Sequence, residues 1–292
     1  MKNYLKYLVV FGFALLTACK KDSAPEASAP AEDTYMRADN ASSEVDHQIY
    51  LVYQQTKVPI LYTGMVSKNP LELVNLNYQM AGSNSSYIYS YPKNKQDILA
   101  GIAFVRDKIL PALGPKIKVH SISLLDTLKT EIVYSPTYII TTNYTVIQGL
   151  TTLAIAKVPS IAAMTPDELV AYQAEVFTNL LLNPLDASGL MPNFYKVSTG
   201  YYDKSALNQS DSPYYLPWKD KREYGFLLDG SESDYYYVTP SQSGDLKLFL
   251  SKILSMSAAD FEAENGNYPL VMNKYNMLKE ALNTLGFDLT KV

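Results

Sequence analysis

Apolar residues recur at helical spacing in several segments, and a polar capping residue precedes three of them. Near the start of the body of the chain, Ser43 and Asp46 form a capping-box-like pattern ahead of Ile49, Val52 and Tyr53. A side chain that caps the first backbone N–H groups and an apolar stripe behind it together predict an amphipathic helix beginning at Ser43.

A stronger stripe predicts a second helix that begins at Asn94. Its apolar members recur at spacings of four, three and four residues, and they are Ile98, Ile102, Val105 and Ile109. Such a stripe buries one side of a helix. Pro111 follows and predicts the end of this helix.

Thr165 predicts the start of a third helix, because threonine caps well and Pro166 suits the first helical position. We expect this helix to end near Asn183, since Pro184 follows. Its predicted shared face consists of Leu169, Tyr172, Val176, Leu180 and Asn183.

Three helical segments are predicted to close the chain, near 245–254, 257–264 and 268–285. The last of them has an apolar stripe formed by Val271, Tyr275, Leu278, Leu282 and Leu285. Gly286 follows as the expected C-terminal stop.

Short runs of β-forming residues lie between the second and third helices, at 117–124, 131–135, 138–142 and 150–158. His120 falls in the first run and is predicted to be a half-buried, hydrogen-bonded strand residue, whereas His47 is predicted to be exposed on the first helix. The order of elements predicts one α+β domain over residues 43–292.

The N-terminal segment has the pattern of a bacterial lipoprotein signal. Lys2 and Lys6 precede an apolar run at 8–16, which is too short to span a bilayer, and Leu16-Thr17-Ala18-Cys19 resembles the cleavage site of signal peptidase II. We expect residues 1–18 to be removed and Cys19 to carry lipid. The alternative is an ordinary secretory signal followed by an unrelated cysteine.

Residues 19–42 are rich in Ala, Pro, Ser and Glu and offer little to bury. This composition predicts a lipidated, disordered tether.

Composition excludes several classes of protein. Apolar residues make up 47% of the chain and the mean hydropathy is −0.09, which argues against general disorder and against a multi-pass membrane protein. The net charge of −4 argues against nucleic acid as a partner. One Cys excludes a disulfide framework, and two His argue against an all-histidine metal site.

Several short motifs follow the predicted 150–158 strand and the Thr165 helix in a characteristic order. They are the run 191–202 with its Pro192 and Phe194, then Trp218, Gly225-Phe226, the stretch 235–241 and Gly286-Phe287-Asp288-Leu289. In this order they resemble the substrate import-associated zinc metallohydrolase lipoproteins. These zincin-like lipoproteins, also described as zinc-binding metallopeptidases, accompany TonB-dependent importers. The resemblance covers about Pro59 to Val292 and implies a zincin-like α+β domain with a small mixed sheet, an active-site-type helix and a helical C-terminal part.

The resemblance fails at the catalytic positions. Where the family has His-Glu-Phe-Ala-His-Ile-Leu-His, alignment on Phe177 puts Glu175 and Asn179 at the first two histidines, Val176 at the general base and Leu182 at the third histidine. Zinc hydrolysis needs both nitrogen ligands at helical spacing and a base for the bound water. Glu175 and Asn179 are expected to be ordinary polar groups, with a harder ion such as Ca²⁺ as the alternative.

Tyrosine is the over-represented residue, at 25 of 292 positions, and it is dense in the loop-rich segment after the third helix. The aromatic residues singled out there as candidate ligand-binding groups are Tyr201, Tyr202, Tyr214, Tyr215, Trp218, Tyr235 and Tyr236. Tyrosine suits glycan or protein surfaces because it combines an apolar face with a polar tip. The alternative is that these side chains, with Tyr237, only cover the core.

The sequence therefore predicts an outer-membrane lipoprotein, anchored through Cys19, that is a non-catalytic member of a metallopeptidase family and needs no cofactor. Its expected role is a binding or accessory component of a TonB-dependent import system, with a glycan or peptide ligand. The alternative is an active zinc hydrolase with an unrecognised metal site.

Overall fold

The computed structural model describes residues 38–68, 71–76, 86–135, 137–149, 151–208 and 212–292. The signal at 1–18, Cys19 and most of the predicted tether lie outside these ranges. The last residues of that tether are described, and Asp39 and Asn40 contact the first helix through His47 and Asp46.

Capping side chains begin the helices as the sequence predicted. Ser43, Asn94 and Thr165 each accept a backbone N–H of the first turn, and Thr165 forms a complete capping box with Glu168. The helices are α1 (Glu44–Thr56), α2 (Lys95–Phe104), α3 (Pro166–Ala187), α4 (Pro192–Lys196), α5 (Gln242–Ser255), α6 (Ala258–Asn265) and α7 (Pro269–Leu285). A π-helical turn, Val105–Ile109, continues α2, and Gly286 ends α7 in the left-handed conformation with a φ of 82°.

The strands are short. They are β1 (Ile60–Leu61), β2 (Met65–Lys68), β3 (Leu71–Leu73), β4 (Ile88–Ser90), β5 (Ser121–Leu124), β6 (Thr127–Ser135), β7 (Tyr138–Asn143), β8 (Val146–Gln148), β9 (Thr152–Ile155), β10 (Ser205–Leu207), β11 (Leu216–Pro217) and β12 (Tyr236–Val238).

A mixed sheet with the strand order β1-β5-β9-β8 lies at the centre of the fold. β1, β5 and β9 are parallel, and β8 is antiparallel to β9 at the sheet edge. Both faces of this sheet are covered. Leu153 faces the large core shared with the helices, whereas the next residue, Ala154, faces a smaller cluster beneath β4 and β6.

Smaller sheets lie outside this centre. β4, β6 and β7 form an antiparallel sheet in the order β4-β6-β7, and β10 pairs with β11 on one side and β12 on the other. The structure is thus mixed α+β with small sheets and several helices, including a helical C-terminal part, and its described residues belong to one compact unit.

The predicted apolar stripes of α2 and α7 are buried, whereas the predicted α3 face ends at the exposed Asn183. Ile98, Ile102, Val105 and Ile109 of α2 and its π-helical turn lie in the large core, together with the predicted α7 stripe of Val271, Tyr275, Leu278, Leu282 and Leu285. None of the helices in the described part of the chain combines the length and apolar character that a membrane span needs.

The predicted end of α3 was wrong. The helix continues through Pro184 to Ala187, although proline removes the N–H that would bond the carbonyl of Leu180. Leu181 and Leu185 are both fully buried, so the contacts of this last turn outweigh the lost hydrogen bond.

The predicted environment of His120 was also wrong. β5 begins one residue later, at Ser121, and His120 is exposed. β8 was not predicted, and β9 is shorter than the predicted 150–158 run.

Candidate functional site

Helix α3 holds the positions at which the sequence departs from a zinc site. Val176 is fully buried in the large core and Leu182 is half-buried against it. Glu175 is exposed, and Asn179, one turn further on, is partly exposed on the same face of the helix. The aliphatic side chains at 176 and 182 have no group that binds a metal or transfers a proton.

The two polar positions of this helix face make ordinary local contacts. The Asn179 amide donates to the backbone carbonyl of Glu175 at 2.9 Å. Glu175 lines a cavity of about 400 Å³ together with Lys157, Ser160 and Glu168. Within the described residues, no group of three or more His, Cys, Asp or Glu side chains is arranged to hold a metal ion.

Neither histidine lines the cavity that Glu175 lines. His47 Nδ1 is 2.8 Å from Asp39 Oδ1 on the surface of α1. His120 lines a different cavity, beside the C-terminal turns of α3.

Exposed aromatic side chains surround the β11-β10-β12 sheet. We call this set the aromatic rim, and it consists of Tyr214, Tyr215, Trp218, Tyr235 and Tyr236, all on or within two residues of β11 or β12. Tyr214 is 87% exposed and Tyr235 is 60% exposed. β11 and β12 flank β10, so they lie about 10 Å apart. A ligand of several sugar or peptide units therefore has the length to contact both.

The inner side of this sheet is fixed by buried contacts. Tyr237 is 2% exposed, pairs with Ala206 and donates its hydroxyl to the carbonyl of Lys219 at 2.7 Å. Tyr224 similarly donates to the carbonyl of Pro217. Because strand residues alternate between faces, Tyr236 points away from the buried Tyr237 side.

A buried lysine holds the loop that leads to β12. Lys221 Nζ lies 2.8 Å from Asp229 Oδ2 and 2.7 Å from Glu232 Oε1, and the lysine side chain is fully buried. Burial opposes ionisation of Asp229, but hydrogen bonds from Lys221 and Ser231 outweigh it and lower the pKa of this carboxyl to about 2. These ion pairs fix the loop that leads to β12 and so to the rim residues Tyr235 and Tyr236.

Tyr201 and Tyr202 both make contacts with other aromatic or acidic side chains of the fold. The Tyr201 ring packs against Tyr224 with centroids 4.8 Å apart. The Tyr202 hydroxyl donates to Asp245 Oδ2 at 2.9 Å. Burial, followed by the negative charge of Asp245, raises the pKa of Tyr202. Tyr202 is therefore committed to an internal contact, and only its edge reaches a cavity that Asp186 and Tyr195 also line.

The sequence analysis missed a basic groove. Lys116, Lys118 and His120 line the same cavity, of about 690 Å³, beside the end of α3. The available signal was the clustering of three basic residues within five positions just before β5.

No protein-family model, curated protein or solved structure matches this chain.

Proposed function

We propose that this protein is an outer-membrane lipoprotein that binds a glycan or a peptide through the aromatic rim and performs no metal-assisted hydrolysis. It acts as an accessory component of a TonB-dependent import system, and its fold is that of a zincin-like domain whose catalytic positions have been replaced. The exposure of the rim side chains around a braced sheet is the observation that carries the proposal.

The zincin-like interpretation is supported by the position of α3. This long, capped helix follows β9 of the central mixed sheet, as the metal-binding helix follows a strand in the family that the sequence resembles. The loss of catalysis is supported by the side chains at this helix, because Val176 cannot act as a base and Leu182 cannot bind zinc. A fold can persist while its site changes.

The binding role is supported by the chemistry of the rim. Exposed Tyr and Trp side chains offer apolar faces for sugar rings or peptide side chains and polar tips for hydrogen bonds. Such groups concentrate binding energy when they are held rigidly, and the buried contacts of Tyr237 and Lys221 hold them.

The location follows from the lipoprotein signal that ends at Cys19. Two or three acyl chains anchor a protein durably in a lipid bilayer. Lipid on Cys19 would therefore hold the protein at the membrane. The net charge of −4 disfavours nucleic acid as a further partner.

Affinity gel electrophoresis tests the binding role. The gels contain amylopectin, xylan or dextran, and a parallel dialysis uses a tryptic digest of casein. We expect one of these probes to bind, and Tyr214→Ala combined with Tyr236→Ala to lose that binding. Tyr134→Ala is the matched control, since Tyr134 is 63% exposed on another sheet.

Unchanged melting temperatures would show that the variants fold. The proposal fails if no probe binds, or if the rim variant binds as well as the control. Cleavage of the casein peptides in a zinc-dependent manner would favour the hydrolase instead.

A further inference from the structure

The basic groove lies between the edge of the central sheet and the end of α3. Gln148 at the end of β8 and Asn183 and Pro184 of α3 line the cavity, which has a volume of about 690 Å³. This volume falls in the range of small-molecule sites.

The charge of the groove is one-sided. Its basic residues are Lys116, Lys118 and His120, and the described residues that line it include no Asp or Glu. The chain as a whole carries a net charge of −4. The charged residues of the groove, in contrast, are all basic. Lys116 lies in the turn that Ile117 closes by donating its N–H to the Gly114 carbonyl, and Ile117 is buried between Lys116 and Lys118.

The basic groups are not equivalent. The Lys116 ammonium donates to the carbonyl of Thr284 at 2.8 Å and so caps the C-terminus of α7. Lys118 and His120 have no hydrogen-bond or ion-pair partner in the described part of the chain. They are the donors left for an anion.

The floor of the groove is apolar. Leu180, Ala187 and Leu285 line it, together with the ring of Pro184. A small hydrophilic anion would leave this surface in contact with water, whereas an anion with a hydrocarbon body would cover it.

We propose that this groove binds an amphipathic organic anion. Its carboxylate or phosphate lies against Lys118 and His120, and its aliphatic body lies on Leu180, Pro184 and Leu285. The site is separate from the aromatic rim and does not depend on the proposed function.

Equilibrium dialysis of octanoate and of octyl phosphate tests the proposal, with the full-length protein in lipid nanodiscs and empty nanodiscs as the reference. We expect saturable binding of at least one of them and weaker binding of octanol and of inorganic phosphate. Comparison of the two anions identifies the preferred head group.

The variant Lys118→Gln/His120→Gln should bind about tenfold more weakly, as expected for the loss of charge-assisted hydrogen bonds. Ala187→Trp should block the apolar floor and also weaken binding. Lys93→Gln removes an exposed lysine outside the groove and should leave binding unchanged. Absence of saturable binding, equal binding of octanol, or equal losses in Lys93→Gln would overturn the proposal.

Discussion

Lys274 and Asp245 form an ion pair that is closed off from solvent, with Nζ 2.7 Å from Oδ2 and side-chain exposures of 0% and 1%. The pair joins α7 to α5, and Tyr202 donates to the same carboxylate oxygen. Burial raises the pKa of Asp245 and lowers that of Lys274, while each charge partly offsets the shift of the other. The Lys274 ammonium also lies within 6 Å of aromatic rings, those of Phe194, Tyr202, Phe226 and Phe249.

Removing one partner of this pair should be more harmful than removing both. Lys274→Met leaves the Asp245 charge buried without its counter-ion, and we expect the free energy of unfolding to fall by about 3–5 kcal/mol. Lys274→Met combined with Asp245→Leu should cost less, because neither charge remains. Urea denaturation measures both.

The exposed pair of Lys95 and Glu44, also 2.7 Å apart, supplies the control. Lys95→Met should cost less than about 1 kcal/mol. A single Lys274→Met variant as stable as the double variant would show that the buried pair does not need both charges.

Acid should weaken the contact between Asp220 and Arg222. The Arg222 hydrogen bond is the main cause that lowers the pKa of Asp220 from 3.8 to about 2, and Tyr268 also donates to this carboxylate. Since the folded-state pKa is depressed, the stabilisation is present above pH 4 and is lost as the pH falls from about 4 to about 2.

Asp220→Asn isolates this charge because asparagine still caps a helical turn. We expect it to be less stable than the wild type by about 1 kcal/mol at pH 6, after allowance for partial exposure of the pair, and this difference should shrink as the pH falls from about 4 towards 2. Thermal unfolding between pH 2 and pH 6 measures the difference. A stability gap that does not change with pH would contradict the assignment.

The β6–β7 hairpin should make the protein prone to self-association. β7 ends its sheet among the described strands and carries no charged residue. The hairpin exposes large apolar side chains on both of its faces, namely Ile132, Val133, Tyr134, Tyr138, Ile139 and Ile140. An uncharged, apolar edge strand is a template for pairing with another chain.

Ile139→Lys should reduce association at high protein concentration and leave the melting temperature unchanged, since Ile139 is exposed. Leu51→Lys adds the same charge on the exposed side of α1 and should have no comparable effect. Light scattering across a concentration series distinguishes them. Equal effects of the two variants would point to net charge rather than to the strand edge.

Lipid attachment should depend on Cys19 alone. Cells that express the wild-type chain with labelled palmitate should yield a labelled protein, and Cys19→Ser should abolish the label. Ser23→Ala, a change close to the same position, should keep it. Label retained in Cys19→Ser would support the ordinary secretory signal instead.

Local signals in the sequence predicted the helices well. Ser43, Asn94 and Thr165 act on N–H groups within their own first turn, so their effect can be inferred without knowledge of the fold. The same holds for Gly286, which adopts the left-handed conformation that ends α7.

Features that depend on distant contacts were not predicted. The continuation of α3 past Pro184 depends on the burial of Leu181 and Leu185, and the exposure of His120 depends on where β5 meets β1 and β9. These are tertiary effects that local propensity does not contain.

The candidate site was predictable only in its composition. The sequence indicated a dense group of aromatic residues but did not separate Tyr236, which is exposed, from Tyr202, whose hydroxyl bonds the buried Asp245. Strand pairing decides which face Tyr236 occupies, and the packing of α5 against the turn at Tyr202 decides the contact of Tyr202.

The zinc content of the purified mature protein tests the central claim most directly. Metal-assisted hydrolysis requires an ion in an open site and a base for its water, and Glu175, Val176, Asn179 and Leu182 do not supply that set. We expect elemental analysis to find zinc far below one equivalent per chain. About one zinc per chain, abolished by Glu175→Ala or Asn179→Ala, would contradict the account and establish a metal site at α3.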